Sequence, residues 1–204
     1  MAQVKFTKSE LRSQQLKLGQ LEKYLPTLQL KKAMLQIEIN QCTGELEEAE
    51  SNFASIQASV NSFAPLLNEK VSFNVFNQSE VLSVKKDYEN IAGVEIPTFQ
   101  DIQFKDIDYF LFDTPIWADT VLSKVKELLR AKEVVKVIRE KRRALYNELR
   151  EVSIRVNLFE KILIPRTKEN IKKIKIFLGD QQLAEIAQAK VAKSKLEARK
   201  VESI

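Results

Sequence analysis

Two heptad seams, one in each half of the chain, constrain its fold more than any other feature. In the C-terminal half, alternating steps of three and four residues pick out Leu128, Ala131, Val135, Ile138, Arg142, Leu145, Leu149, Val152, Val156, Phe159 and Leu163, ten of the eleven apolar. That is the narrow stripe of a coiled-coil seam, not the broader face of an ordinary surface helix. The N-terminal seam is longer: Leu11, Gln14, Leu18, Leu21, Leu25, Leu28, Lys32, Leu35, Ile39, Cys42, Leu46, Ala49, Phe53, Ile56, Val60, Phe63 and Leu67, fifteen of seventeen apolar. A single helix of that span, roughly 90 Å at about 1.5 Å per residue, has no core of its own. It must zip onto a partner face.

The C-terminal seam slips by one position after Leu163, where Ile164, Thr167, Ile171, Ile174 and Leu178 take over the face. Pro165 stands at the slip. A proline inside a helix removes one backbone donor and crowds the preceding turn, at a cost of about 3 kcal/mol. The helical period resumes at once, so Pro165 is read as a kink that lets the seam change register and not as the helix end. Pro26 interrupts the first seam, and a kink or brief break is expected there. Thr7, Lys8, Ser9 and Glu10 fit a capping box at the start of the first helix.

Residues 68–117 differ in kind. They hold nine of the sixteen aromatics: Phe73, Phe76, Tyr88, Phe99, Phe104, Tyr109, Phe110, Phe112 and Trp117. Val71 to Val75 alternates like a strand, as does Val94-Glu95-Ile96 before Pro97. With Asn90 and Gly93 as turn chemistry nearby, a hairpin is expected within Val81 to Phe104. About fifty residues make a weak core alone, so this head should lean on the coiled coil or on a partner. Thr114 as N-cap and Pro115 at the first helical position then restart a helix, with Asp119 in its first turn. The expected organisation is an N-terminal coiled-coil helix over 1–67, a small head over 68–117 and a C-terminal coiled-coil helix over 118–204.

The fold class is therefore mainly α: a long two-helix coiled coil with a small central head containing a β-hairpin. The head gives the chain room to reverse, which favours an intrachain antiparallel pairing. A parallel homodimer, each seam meeting its copy, is the competing arrangement. Gln14, Lys32 and Arg142, polar on the seams, would fix register in either.

Composition narrows the function classes. With four glycines and five prolines in 204 residues, 30% of them charged, the profile is that of a helical chain and not of an α/β enzyme. Histidine is absent, which removes imidazole metal sites and Ser-His or Cys-His catalysis. Cys42 falls on a seam position and reads as a buried structural thiol; one cysteine makes no internal disulfide, which suits a cytoplasmic protein. There is no apolar run long enough to span a membrane and no signal-peptide core. No phosphate loop, nucleophile motif or metal spacing occurs, so no catalytic residue, cofactor or metal is expected. Residues 118–204 carry 22 basic against 12 acidic side chains, while 68–117 carry 4 against 9. The cluster Arg139, Arg142 and Arg143 could meet phosphates, yet it lacks interleaved aromatics and Arg142 lies on the seam, so nucleic acid is not the expected partner. From the residues alone, the chain is a coiled-coil interaction or scaffold protein, a nucleic-acid-associated role being its variant.

Residues 154–174 carry more. Ile154-Arg155-Val156-Asn157-Leu158-Phe159-Glu160, then Ile162-Leu163-Ile164-Pro165-Arg166, then Asn170-Ile171-Lys172-Lys173-Ile174 closely resembles the signature of the D subunit of V-type and archaeal-type ATPases, in its bacterial form. Asn90-Ile91-Ala92-Gly93-Val94-Glu95-Ile96-Pro97 is similar to that family's head motif, and Leu28-Gln29-Leu30-Lys31-Lys32 to its N-terminal motif. The tail departs, with Asp180-Gln181-Gln182-Leu183 where many members carry Arg-Arg-Glu-Phe. The resemblance implies a non-catalytic central rotor stalk whose paired termini enter the hexamer of catalytic A and B subunits. The F subunit would bind alongside, and a membrane-side socket subunit would meet the other end. The chain would work on the cytoplasmic side as a peripheral part of the complex, without inserting into the membrane. Proton or Na+ flow would be coupled to ATP synthesis or hydrolysis by rotation. Arg155, Asn157, Glu160, Pro165, Arg166 and Asn170 are the signature residues and, with Arg139, Arg142 and Arg143, the candidate partner contacts. The basic helix would turn against a carboxylate-lined sleeve. Reversing the charges from Arg139 to Arg143 is then expected to weaken coupling of ATP hydrolysis to ion transport in the assembled complex; unchanged coupling would refute the sleeve.

Overall fold

The structure is a computed structural model that describes residues 5–63, 65, 79–105 and 114–202. Helix α1 runs Lys8–Asn61, strands β1 and β2 run Val81–Ile91 and Val94–Phe104, and helix α2 runs Ala118–Leu158. A π turn, Phe159–Leu163, leads without a break into α3, Ile164–Glu202. The chain divides into two compact units, Met1–Leu30 with Ser153–Ile204, and Lys31–Val152. The strand-like stretch Val71 to Val75, Leu67 and the aromatics Phe73, Phe76, Tyr109, Phe110 and Phe112 lie outside the described residues.

In the unit Lys31–Val152, the two expected seams bury each other. Leu35, Ile39, Cys42 and Leu46 of α1 and Ala131, Val135, Leu145 and Val152 of α2 are all buried. Each large apolar side chain so placed stabilises the fold by about 1.5–3 kcal/mol. The direction is antiparallel: Lys31 meets Glu148 at 2.6 Å, the Cys42 thiol donates to the Ile138 carbonyl at 3.7 Å, and Glu45 meets Lys141 at 3.0 Å. Further along, Glu50 meets Arg139 at 2.7 Å. With Leu35 and Leu145 taken as d positions, Lys31–Glu148 and Glu45–Lys141 join g to g, and Glu50–Arg139 joins e to e. Flanks that match like with like are the signature of opposed chains, since parallel helices pair e with g. Such part-exposed ion pairs add at most about 1 kcal/mol each. Their contribution is direction more than stability.

The hairpin falls where the sequence places it, and its register is set at the turn. Ile91 opposes Val94, and the two residues between them, Ala92 and Gly93, both have positive φ, 52° and 79°. That is the requirement of the type I′ turn, whose twist suits a right-twisted hairpin. The Asn90 side-chain oxygen accepts from the Gly93 amide at 2.9 Å and holds the turn. Ile96 and Ile102 of β2, on either side of a register shift that leaves Gln100 unpaired, are buried, while Leu82 and Tyr88 are exposed. The buried face lies along α2. The Lys126 ammonium stands 5.5 Å from the Phe104 ring centroid, Arg130 pairs with Asp101, and Lys86 pairs with Glu140. At the tip, a Cβ added to Gly93 would come 3.7 Å from the Lys31 ammonium. The head thus leans on the coiled coil, as a weak core requires. Where the helices approach the head, Val121 and Leu122 pack with Phe63, Trp117 and Val125.

In the unit Met1–Leu30 with Ser153–Ile204, Leu21 of α1 is buried, as are Val156, Thr167, Ile171 and Ile174. Glu22 meets Lys168 at 3.0 Å, and the Phe6 and Phe177 rings lie 5.0 Å apart, so this pairing is antiparallel too. Thr7 caps α1: its hydroxyl accepts from the Glu10 amide at 3.2 Å. Glu10 itself accepts from Gln14 at 2.8 Å.

Three sequence expectations are narrowed or corrected. Of the kink or break expected at Pro26, the break does not occur: α1 is continuous through it, and the residue is exposed, where a missing backbone bond is replaced by water at least cost. Pro115 is not the first residue of α2. Ala118 donates to the Pro115 carbonyl at 2.9 Å, a single tight turn that precedes the helix, so α2 begins three residues later. The register slip is not confined to Ile164-Pro165. It is made by the π turn, in which the Ile164 amide reaches back to the Phe159 carbonyl. A five-residue turn holds one residue more than the seam needs, and one extra residue is the whole slip. The widened turn also contains Lys161, whose carbonyl Pro165 would crowd in a regular helix and to which it has no amide to offer.

Candidate partner-contact surfaces

The nine candidate residues fall into two groups, one in each unit. Arg139, Arg142 and Arg143 lie on α2, where with Lys136, Glu140 and Tyr146 they line a shallow depression of about 710 Å³. The three arginines are not equivalent. Arg139 is bound to Glu50 through Nε at 3.3 Å and a terminal nitrogen at 2.7 Å. Arg142 is half-buried because its position belongs to the seam, and Arg143 is exposed. Helical geometry explains the difference: successive residues are turned by about 100°, so a run of cations serves several faces. Glu140, between them in sequence, faces the hairpin and is held by Lys86.

Lys141, in the same run, is largely enclosed, its side chain only 12% exposed. Burial pulls its pKa down, but the hydrogen bond and charge of Glu45 outweigh that and leave it raised, so it stays an ammonium. Cys42 nearby is fully buried. Loss of water pushes its thiol above the ordinary range, with Lys141 pulling weakly the other way. A protonated, enclosed thiol is inert, the structural role its seam position indicates.

The signature residues lie around the π turn. Arg155, Asn157, Glu160, Pro165 and Arg166 are placed on the outer side of the helix or at the edge of the seam, and Asn170 is half-buried. They do not converge on a cleft: the residues turned inward in this stretch are Val156, Phe159, Leu163, Ile164 and Thr167. None of the five residues of the π turn is fully buried. An outward ring of charge and amide on a continuous helix can contact a surrounding surface. It cannot assemble a reacting geometry, which needs groups that point at one another. Among the described residues, no group of acidic or cysteine side chains could hold a metal ion.

The sequence reading missed the residues of α2 that hold the hairpin: Lys126, Arg130 and Glu140. Val137 lies off the seam, yet is only 1% exposed. An apolar residue off the heptad seam, next to Lys136, was the available signal.

Geometry thus defines a class: an antiparallel coiled-coil protein with a hairpin strapped to one helix and charged and amide side chains on the outer faces. The family model for the ATP synthase D subunit matches residues 10–194. The V-type ATP synthase D subunit of Chlamydia caviae is 43% identical over 203 residues, covering 99% of this chain and 98% of that one. The protein of the same name from Chlamydia pneumoniae is 43% identical over 199 residues, 97% of this chain and 95% of that one. The Chlamydia trachomatis serovar L2 protein is 40% identical over 200 residues, 98% of each. The chain belongs to the family of ATP synthase D subunits.

Proposed function

We propose that this chain is the central rotor shaft of a V-type ATP synthase or ATPase, without catalysis of its own. Ion flow, of H+ or Na+, turns it, and its rotation carries the catalytic A and B subunits through their states. The F subunit binds alongside, and a membrane-side socket subunit meets the end opposite the chain termini. It works on the cytoplasmic side of the membrane as a peripheral subunit; among the described residues no helix is long and apolar enough to cross one.

The observation that carries this reading is the course of α3. It continues as helix to Glu202, well past Phe177, where it meets Phe6 at the start of α1. From Gln181 to Leu196 every side chain is exposed, Leu183, Ile186, Val191 and Leu196 among them at 54–67%. Lone helices with exposed apolar side chains are marginal in water and are stabilised by what surrounds them. A hexamer closing round the termini supplies such a sleeve. A two-helix seam with charged flanks supplies the stiffness of a shaft.

Tagged chain recovered from native membranes is expected to bring down large nucleotide-binding subunits with ATPase activity. Recovery of a homodimer alone, without ATPase, would replace the shaft by a scaffold.

A further inference from the structure

We infer that Phe159–Thr167 is a built-in torsional joint, a point where α3 can turn about its own axis against the last turn of α2 without the helix breaking. Three features that loosen a helix fall within these nine residues. The π turn replaces the regular bond with a longer one, from the Ile164 amide to the Phe159 carbonyl. Pro165 offers no amide to the Lys161 carbonyl. The Thr167 hydroxyl donates back to the Leu163 carbonyl at 2.7 Å, a contact that competes with the backbone bond at that carbonyl and bends helices. Packing relaxes at the same place: Val156 and Thr167 on either side are 4% exposed, whereas no residue of the turn between them is fully buried.

Stability does not ask for this arrangement. With one residue fewer between Phe159 and Leu163, the seam Val156, Phe159, Ile164, Thr167, Ile171, Ile174, Leu178 would run in unbroken alternating steps of three and four. The extra residue and the proline each work against a continuous helix, and wide turns of this kind concentrate where helices have something to do besides stand. Moving the wide turn by one position hands the inward face from Leu163 to Ile164, both already half-buried. The joint stands on this geometry whether or not the chain is a rotor. In a rotor, it is where twist between driven and driving ends would be absorbed.

Amide hydrogen exchange on the full chain tests it. Peptides covering Phe159 to Thr167 are expected to exchange about ten-fold faster than those covering Lys168 to Leu178, because local opening tracks local packing. A variant with Lys161 deleted and Pro165→Ala is expected to fold and to bring the segment to the rate of its flanks. Uniform protection in the unmodified chain overturns the joint, as does fast exchange that persists in the folded variant. A variant that fails to fold overturns it as well, because the continuous seam would then not be a stable alternative.

Discussion

Leu145→Asp is expected to remove most of the stability of the chain, about 5 kcal/mol or more. The side chain is fully buried. It lies on the seam between two fixed crossings, Lys31 with Glu148 and Cys42 with Ile138, as does the equally buried Leu35 of the facing helix. Losing the leucine forfeits about 2–5 kcal/mol of burial and packing, and an unpaired carboxylate in the same place adds several more unless it takes up a proton. Set against a total stability of about 5–15 kcal/mol, that is a loss the fold barely survives. Ile176→Asp is the control: its side chain is 55% exposed, and such surface changes stay within about 0.5 kcal/mol. Urea unfolding followed by helical circular dichroism separates the two. Equal midpoints for both variants would mean that the two seams do not form one core.

Truncation after Asp180 is expected to do the opposite, sparing the chain and crippling the machine. Every side chain from Gln181 to Leu196 is exposed, so removing them takes away almost no buried surface and should leave stability within about 0.5 kcal/mol of the parent. If the chain is the proposed shaft, coupling of ATP hydrolysis to ion transport in the assembled complex is expected to fall by roughly ten-fold or more, because Leu183, Ile186, Val191 and Leu196, the exposed apolar side chains a sleeve would cover, are gone. Full coupling by the truncated chain would refute the proposal that a hexamer closes round the terminal helix.

Much of this molecule was legible in its sequence, and the residues say why. Along the N-terminal seam, Leu21, Leu35, Ile39, Cys42 and Leu46 are all buried, and the polar Gln14 and Lys32 are half-buried beside them. The two strands fall within the expected window, Val81 to Phe104, and turn where Asn90 and Gly93 indicated, although the strand ends themselves were not legible. Helix ends were less legible: Pro115 reads as a first helical residue because its fixed φ fits there, and only the Pro115–Ala118 turn shows that the helix waits for Ala118. What the string of residues did not show is arrangement: Arg139 and Glu140 are adjacent in sequence, yet one is held by Glu50 across the seam and the other by Lys86 of the hairpin.

By itself the sequence determined that there are two seams, that each needs a partner, and that a hairpin stands between them. Periodicity carries that information because burial repeats with the turn of the helix. Direction is another matter, since an apolar stripe looks the same read from either end; only the head, with its room for the chain to reverse, favoured the antiparallel pairing over a parallel copy. The tertiary structure decided it, by bringing Lys31 to Glu148, Lys141 to Glu45 and Arg139 to Glu50. The same holds for the slip at Ile164: the string of residues shows that one position is gained, but whether a helix absorbs it by breaking, bending or widening is settled by which amide reaches which carbonyl. Here the Ile164 amide reaches Phe159, and the helix stays whole because one wide turn costs less than a broken one.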